Sequence, residues 1–167
     1  MDNFVVTITR SCGSGGSIIA NLLAKQLNIK VYDKELLKLA SDDSGINERL
    51  FAMVDEDTKK SILYKVSKRV YNGELIPPES NDFTSNDNLF NYQAKVLKEL
   101  AKENSYIVIG RGADYVLRDN KNVIKIFVHA NNEECILREM KRLGMERKEA
   151  EEWINKTNIY RGIYYRY

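Results

Sequence analysis

Cysteine and histidine are almost missing from this chain. Cys12, Cys135 and His129 stand far apart, so neither a zinc cluster nor a disulfide framework is available, and a reducing cytoplasm is expected. Long apolar runs are missing as well. No window approaches membrane-spanning length, and the N-terminus enters a strand almost at once, without the basic segment and apolar run of a secretory leader. Neither sign of charge dominates. With 26 Lys and Arg against 24 Asp and Glu, a net charge of +2 gives no footprint for nucleic acid, although a local anion site stays open. What is present, 43% hydrophobic and 30% charged residues in a chain of 167, is the composition of an ordinary globule of one domain.

The organising stretch is Phe4-Val-Val-Thr-Ile-Thr-Arg-Ser-Cys-Gly-Ser-Gly-Gly-Ser-Ile-Ile-Ala20. It reads as a strand over Phe4–Thr9, a small-residue turn over Arg10–Gly16, and a helix opening at Ser17 with Ile18, Ile19, Leu22, Leu23 and Leu27 as its apolar face. Strand, glycine turn and helix together suit an anion. The turn aims backbone N–H groups inward and the helix N-terminus adds partial positive charge. Laid on G-x-x-x-x-G-K-[ST], however, Arg10 falls on the first glycine and Gly16 on the lysine. Phosphate binding and a merely tight βα turn are both open at this point.

Strand and helix then alternate. Ile29–Tyr32 is β-prone, followed by Asp33 as either an N-cap or a ligand residue at a strand's carboxyl end, and by a helix facing inward with Leu36, Leu37 and Ala40. Residues 41–91 change character. Asn47–Tyr71 reads as helix on the stripe Leu50, Phe51, Val54, Ile62, Val66 and Val70, and Asn72–Asn88, with Pro77 and Pro78, as loop. A connection of this length suggests an insertion folded over a site rather than a second domain. Leu89–Glu103 returns to an amphipathic helix, and Tyr106–Ile109 is a continuous apolar strand suited to the centre of a parallel sheet. It breaks at Gly110-Arg111-Gly112, where Arg111 either forks onto a phosphate or pairs with Asp114. Val123–Val128 is a further strand, ending at a structural rather than catalytic His129. Helices follow from about Asn132, carrying Arg138 and Arg142 on one face, and from about Glu146 to Thr157. The tail interleaves Lys156, Arg161 and Arg166 with four tyrosines, which suits a small phosphorylated ligand or a packed helix better than nucleic acid.

Five spaced segments, Ile8–Ala20, Tyr32–Leu37, Val108–Leu117, Ile126–Ala130 and Asn155–Tyr167, together resemble the cytidylate kinase-like proteins, a divergent branch of the nucleoside monophosphate kinases. The resemblance implies an α/β, P-loop NTPase-type parallel sheet with helices on both faces, an acceptor-binding insertion at 41–91 and a basic lid at 138–167. Relatives normally continue into a last strand and helix beside the adenine, which this chain lacks. The resemblance also implies ATP with Mg2+ as donor and a CMP- or dCMP-like monophosphate as acceptor, with no membrane and no nucleic acid as partner. Carried over residue by residue, Gly13, Ser14, Gly15, Gly16 and Ser17 hold the ATP phosphates, with Ser17 also at the metal, and Arg138, Arg142 and Lys156 assist from the lid. Asp33 and Arg111 frame the acceptor, although Gly112 stands where the family has Asp. Arg10, Arg111 and Arg161 are the expected catalytic set, converging on the moving phosphoryl group in place of the absent lysine. A nucleotide-binding module without catalysis, or a kinase of another small acceptor, are the competing expectations.

Overall fold

The computed structural model describes residues 3–56 and 74–165. The chain runs β1 (Val5–Arg10), α1 (Gly16–Leu27), β2 (Lys30–Tyr32), α2 (Glu35–Ser44), α3 (Glu48–Glu56), α4 (Asn86–Glu103), β3 (Tyr106–Ile109), α5 (Ala113–Val116), β4 (Val123–Val128), α6 (Asn132–Leu143) and α7 (Arg147–Tyr165). Four strands form one parallel sheet in the order β2-β3-β1-β4. This is the expected α/β class with P-loop-type topology.

Alternation along the strands builds two cores, one on each face. Val5 and its register partner Tyr106, with Val108, face a cluster supplied by Leu36, Leu37, Phe51, Leu89 and Leu97 of α2, α3 and α4. Val6, Ile8, Ile107 and Ile109 face α1 instead. Successive residues point to opposite faces, and β3 is buried at every position, as is β1 over Val5–Ile8, because both faces are covered. Tyr106 is fully buried yet satisfied, its hydroxyl donating to the carbonyl of Leu97 at 2.7 Å.

Three sequence expectations are corrected here. The inward face of α1 is Gly16, Ala20 and Ala24, with Leu23 partly buried, whereas Ile18, Ile19, Leu22 and Leu27 are exposed. Small residues at i and i+4 let the helix lie close on the sheet, which leaves the bulky ones outside. Asp33 is not an N-cap, since Lys34 holds that position without a side-chain cap. The last helix does not stop near Thr157 but continues to Tyr165.

Of the expected helix Asn47–Tyr71, only α3 falls within the described residues. Ile62, Val66 and Val70 lie outside them, as does Arg166. Residues 77–85 form successive turns after an irregular stretch from 74, with Leu75 and Phe83 packed on the α4 cluster. Asn88 pins them. Fully buried, it accepts from the Ile76 amide at 2.9 Å and donates to the carbonyls of Phe83 at 2.7 Å and Ile76 at 3.2 Å.

Candidate functional site

In open α/β sheets ligands collect beyond the carboxyl ends of the strands. Here those ends carry Arg10 on β1, Gly110–Gly112 after β3 and Val128 on β4. The loop after β1 is stitched to β4 by the Ser11 amide donating to the Val128 carbonyl at 3.0 Å, and the turn after β3 to β1 by the Gly110 amide donating to the Ile8 carbonyl at 3.0 Å. The Cys12 amide donates to Asn158 Oδ1 at 2.7 Å, which fastens α7 to the loop. Asn158 was not legible as a functional residue, because an asparagine inside a helix signals nothing until its partner is known.

Glycine is required in this loop for space as well as conformation. Gly13 has φ of 74°, and a Cβ there would lie 2.6 Å from the backbone oxygen of Cys135 on α6. Gly15 is left-handed at 84° and opens α1, so the amides of Gly15, Gly16 and Ser17 face outward from the helix N-terminus. Gly16 has ordinary helical φ, but a Cβ there would stand 2.6 Å from Arg10 Cβ and 3.0 Å from Arg10 Cγ. The side chain of Arg10 thus lies where a lysine at 16 would begin. Its guanidinium continues to Gly110, whose Cβ would stand 2.8 Å from Arg10 Nη1.

Around this loop lies a cavity of about 640 Å³, walled in part by Arg10, Gly13, Gly15, Gly16 and Ser17. Arg138, Lys141 and Arg142 enter from α6, and Trp153 and Arg161 from α7. Five basic side chains meet one carboxylate, Glu139, which makes the cavity strongly cationic. Arg138 lies across the loop, donating to the Gly13 carbonyl. Arg161 leans on the same loop, with Nη1 3.5 Å from the Arg10 carbonyl. Arg142 is bonded to the buried Glu139, whose carboxylate raises the guanidinium pKa. Burial, then the Glu139 carboxylate, push the Cys12 thiol up against the pull of Arg161, so Cys12 stays protonated at neutral pH and is no nucleophile.

The expected residues divide into groups. Arg10, Gly13, Gly15, Gly16, Ser17, Arg138, Arg142 and Arg161 share the cavity. Ser14 is buried, its hydroxyl donating to the Ser11 carbonyl at 2.8 Å, so it braces the loop and lies outside the cavity wall. Lys156 is exposed on α7, also outside that wall. Asp33 and Arg111 form a second locus. Arg111 Nη2 donates to Asp33 Oδ1 at 3.3 Å, with the arginine side chain 6% exposed and the aspartate 38%. Arg111 therefore pairs with Asp33. Its φ of 62°, between Gly110 at 69° and Gly112 at 62°, is strained for a side-chain-bearing residue. Arg10 links the two loci, since its guanidinium reaches Gly110 beside Arg111. His129 stacks on Phe127, ring centroids 6.1 Å apart, and lies outside the cavity.

The sequence profile of the cytidylate kinase-like family matches residues 5–167. The chain belongs to that family. No curated protein matches it. Among solved structures, an uncharacterized protein from Eubacterium ventriosum ATCC 27560 is 24% identical with a TM-score of 0.65, over 97% of this chain and 75% of that one, a likeness that speaks to the fold alone. TT1252 from Thermus thermophilus is 21% identical over 90% of this chain and 78% of its own, with a TM-score of 0.47. As a cytidylate kinase-like protein the chain carries the kinase class of its family. Among the described residues no helix is long and apolar enough to cross a membrane, and no group of three or more His, Cys, Asp or Glu is placed to hold a metal.

Proposed function

We propose that this protein transfers the terminal phosphate of ATP to a nucleoside monophosphate of the CMP or dCMP type. The observation that carries the reading is the course of Arg10, which runs from the position of the missing lysine to the end of β3 and so lies between the two loci. Phosphoryl transfer needs alignment and charge neutralisation more than covalent chemistry. The amides of Gly13, Gly15, Gly16 and Ser17 hold the donor phosphates. Arg138 and Arg142 close over them, with Arg142 exchanging Glu139 for phosphate, while Lys156 stands outside the cavity wall. Arg111 and Asp33 hold the acceptor, and Arg10, Arg111 and Arg161 stabilise the charge on the moving group.

The Ser17 hydroxyl would be the protein's ligand to a magnesium ion brought with the nucleotide, and the ion would supply charge neutralisation at the donor phosphates. Ser17 lines the cavity, which suits that role. Cytoplasmic residence goes with a reaction that draws on ATP. The test is transfer of labelled phosphate from ATP to CMP, dCMP and UMP. Turnover with at least one is expected, and absence of turnover with all three refutes a pyrimidine monophosphate kinase. A catalytically silent nucleotide binder is the second reading, favoured by the glycine at position 16. Calorimetric ATP binding without turnover on any acceptor supports it.

A further inference from the structure

We propose that Trp153 is the stacking platform for the nucleobase of the donor nucleotide, an inference that rests on the ATP reading above. Trp153 is the chain's single tryptophan, is 40% exposed, and lies outside the buried cluster that joins α6, α7 and the loop. That cluster takes Ala150 and Ile154 from the same helix. An indole set beside the core on a cavity wall leaves π-surface available to a ligand. Ile18, 59% exposed, is the other large apolar side chain of that wall.

The spacing along α7 fits one ligand. Trp153 and Arg161 are eight residues apart, two turns and about 12 Å of rise, and so share a stripe of the helix. Arg161 stands at the Arg10 end of the loop, where the transferring phosphate is proposed to lie. Trp153 then stands one nucleotide length away, where the ribose delivers the base. Stacking reads a π-face and not a hydrogen-bonding edge, so ATP and GTP bind comparably.

The lone tryptophan gives an unambiguous signal. ATP and GTP quench wild-type fluorescence. In calorimetry Trp153→Ala weakens both on the order of ten- to hundredfold, while Trp153→Phe keeps most of the affinity. Inorganic tripolyphosphate, which has no base, binds wild type and Trp153→Ala within about twofold, and this also reports that the variant folds. Unchanged ATP binding by Trp153→Ala, or an equal loss for tripolyphosphate, overturns the platform and leaves the phosphate site standing. If neither ATP nor tripolyphosphate binds wild type, the donor-site reading fails and the platform with it.

Discussion

Adding a single methyl group at Gly16 tests whether Arg10 has taken the place of the usual lysine. Carbon atoms in contact ordinarily sit about 3.5–4.0 Å apart, and the new Cβ would meet Arg10 Cβ at 2.6 Å. Roughly 1 Å of separation is missing, and both atoms are fixed to backbone, so no rotamer change relieves the clash. Overpacking of this kind costs about 1–3 kcal/mol, against at most about 1 kcal/mol gained in helix propensity. Gly16→Ala should therefore be destabilised by about 1–2 kcal/mol, read as a lower urea midpoint at constant slope. Arg10→Ala cannot rescue it, because alanine keeps the offending Cβ; Arg10→Gly can. The cycle of Arg10→Gly with Gly16→Ala should show a favourable coupling of about 1–3 kcal/mol. A Gly16→Ala protein as stable as wild type, or additivity within about 0.5 kcal/mol, would refute the reasoning. On activity, Arg10→Gly alone should lose on the order of a thousandfold in transfer, and Arg10→Gly with Gly16→Lys should recover part of it.

Arg111→Ala should raise KM for the acceptor about ten- to hundredfold through loss of charge-assisted bonds, with KM for ATP within about twofold; a larger effect on ATP would place Arg111 at the wrong locus. Burial raises the Asp114 carboxyl above its ordinary 3.8, outweighing its backbone hydrogen bonds. The charged form is disfavoured in the fold, so its contribution is favourable below that value and lost as pH rises through the folded pKa. Asp114→Asn should accordingly melt higher than wild type at pH 7.5, with the gap closing towards pH 4. Thr7 Oγ1 is buried in β1 without a hydrogen-bond partner, so Thr7→Val should gain about 1 kcal/mol in urea unfolding. Asn88→Ala strips three hydrogen bonds from residues 74–85 and should cost about 2–4 kcal/mol, with new proteolytic cleavage in that stretch.

How legible the molecule was depended on the range of the interactions involved. Tyr106–Ile109 and Val123–Val128 are bounded as the apolar runs suggest; the first is buried at every position and needs little beyond its own composition, and the second lies at the sheet edge with Ile124 and Phe127 exposed. The α1 face was misread since hydrophobicity favours Ile and Leu, whereas close approach to the sheet selects Gly16, Ala20 and Ala24. The loop was visible as an anion candidate, yet the reason for its glycine at 16 was not. That reason is the side chain six residues earlier, turned back by the curl of the backbone. Asp33 and Arg111 were each singled out, but their pairing spans 78 residues and exists only once β2 and β3 lie side by side. Trp153 was not singled out, because helical periodicity records which stripe a residue occupies and not what stands opposite.

The backbone at Arg111 sets two kinds of selection against each other. A left-handed conformation costs an L-residue about 1–2 kcal/mol, a cost glycine escapes, yet the Arg111 side chain is only 6% exposed and holds Asp33, so its loss also forfeits a largely buried ion pair. Arg111→Gly should therefore gain less in thermal resistance than relief of the backbone strain alone would give, while screening a library for catalysis should purge it. Under the proposed function, position 111 thus serves as a gauge of whether a lineage still uses its acceptor pocket.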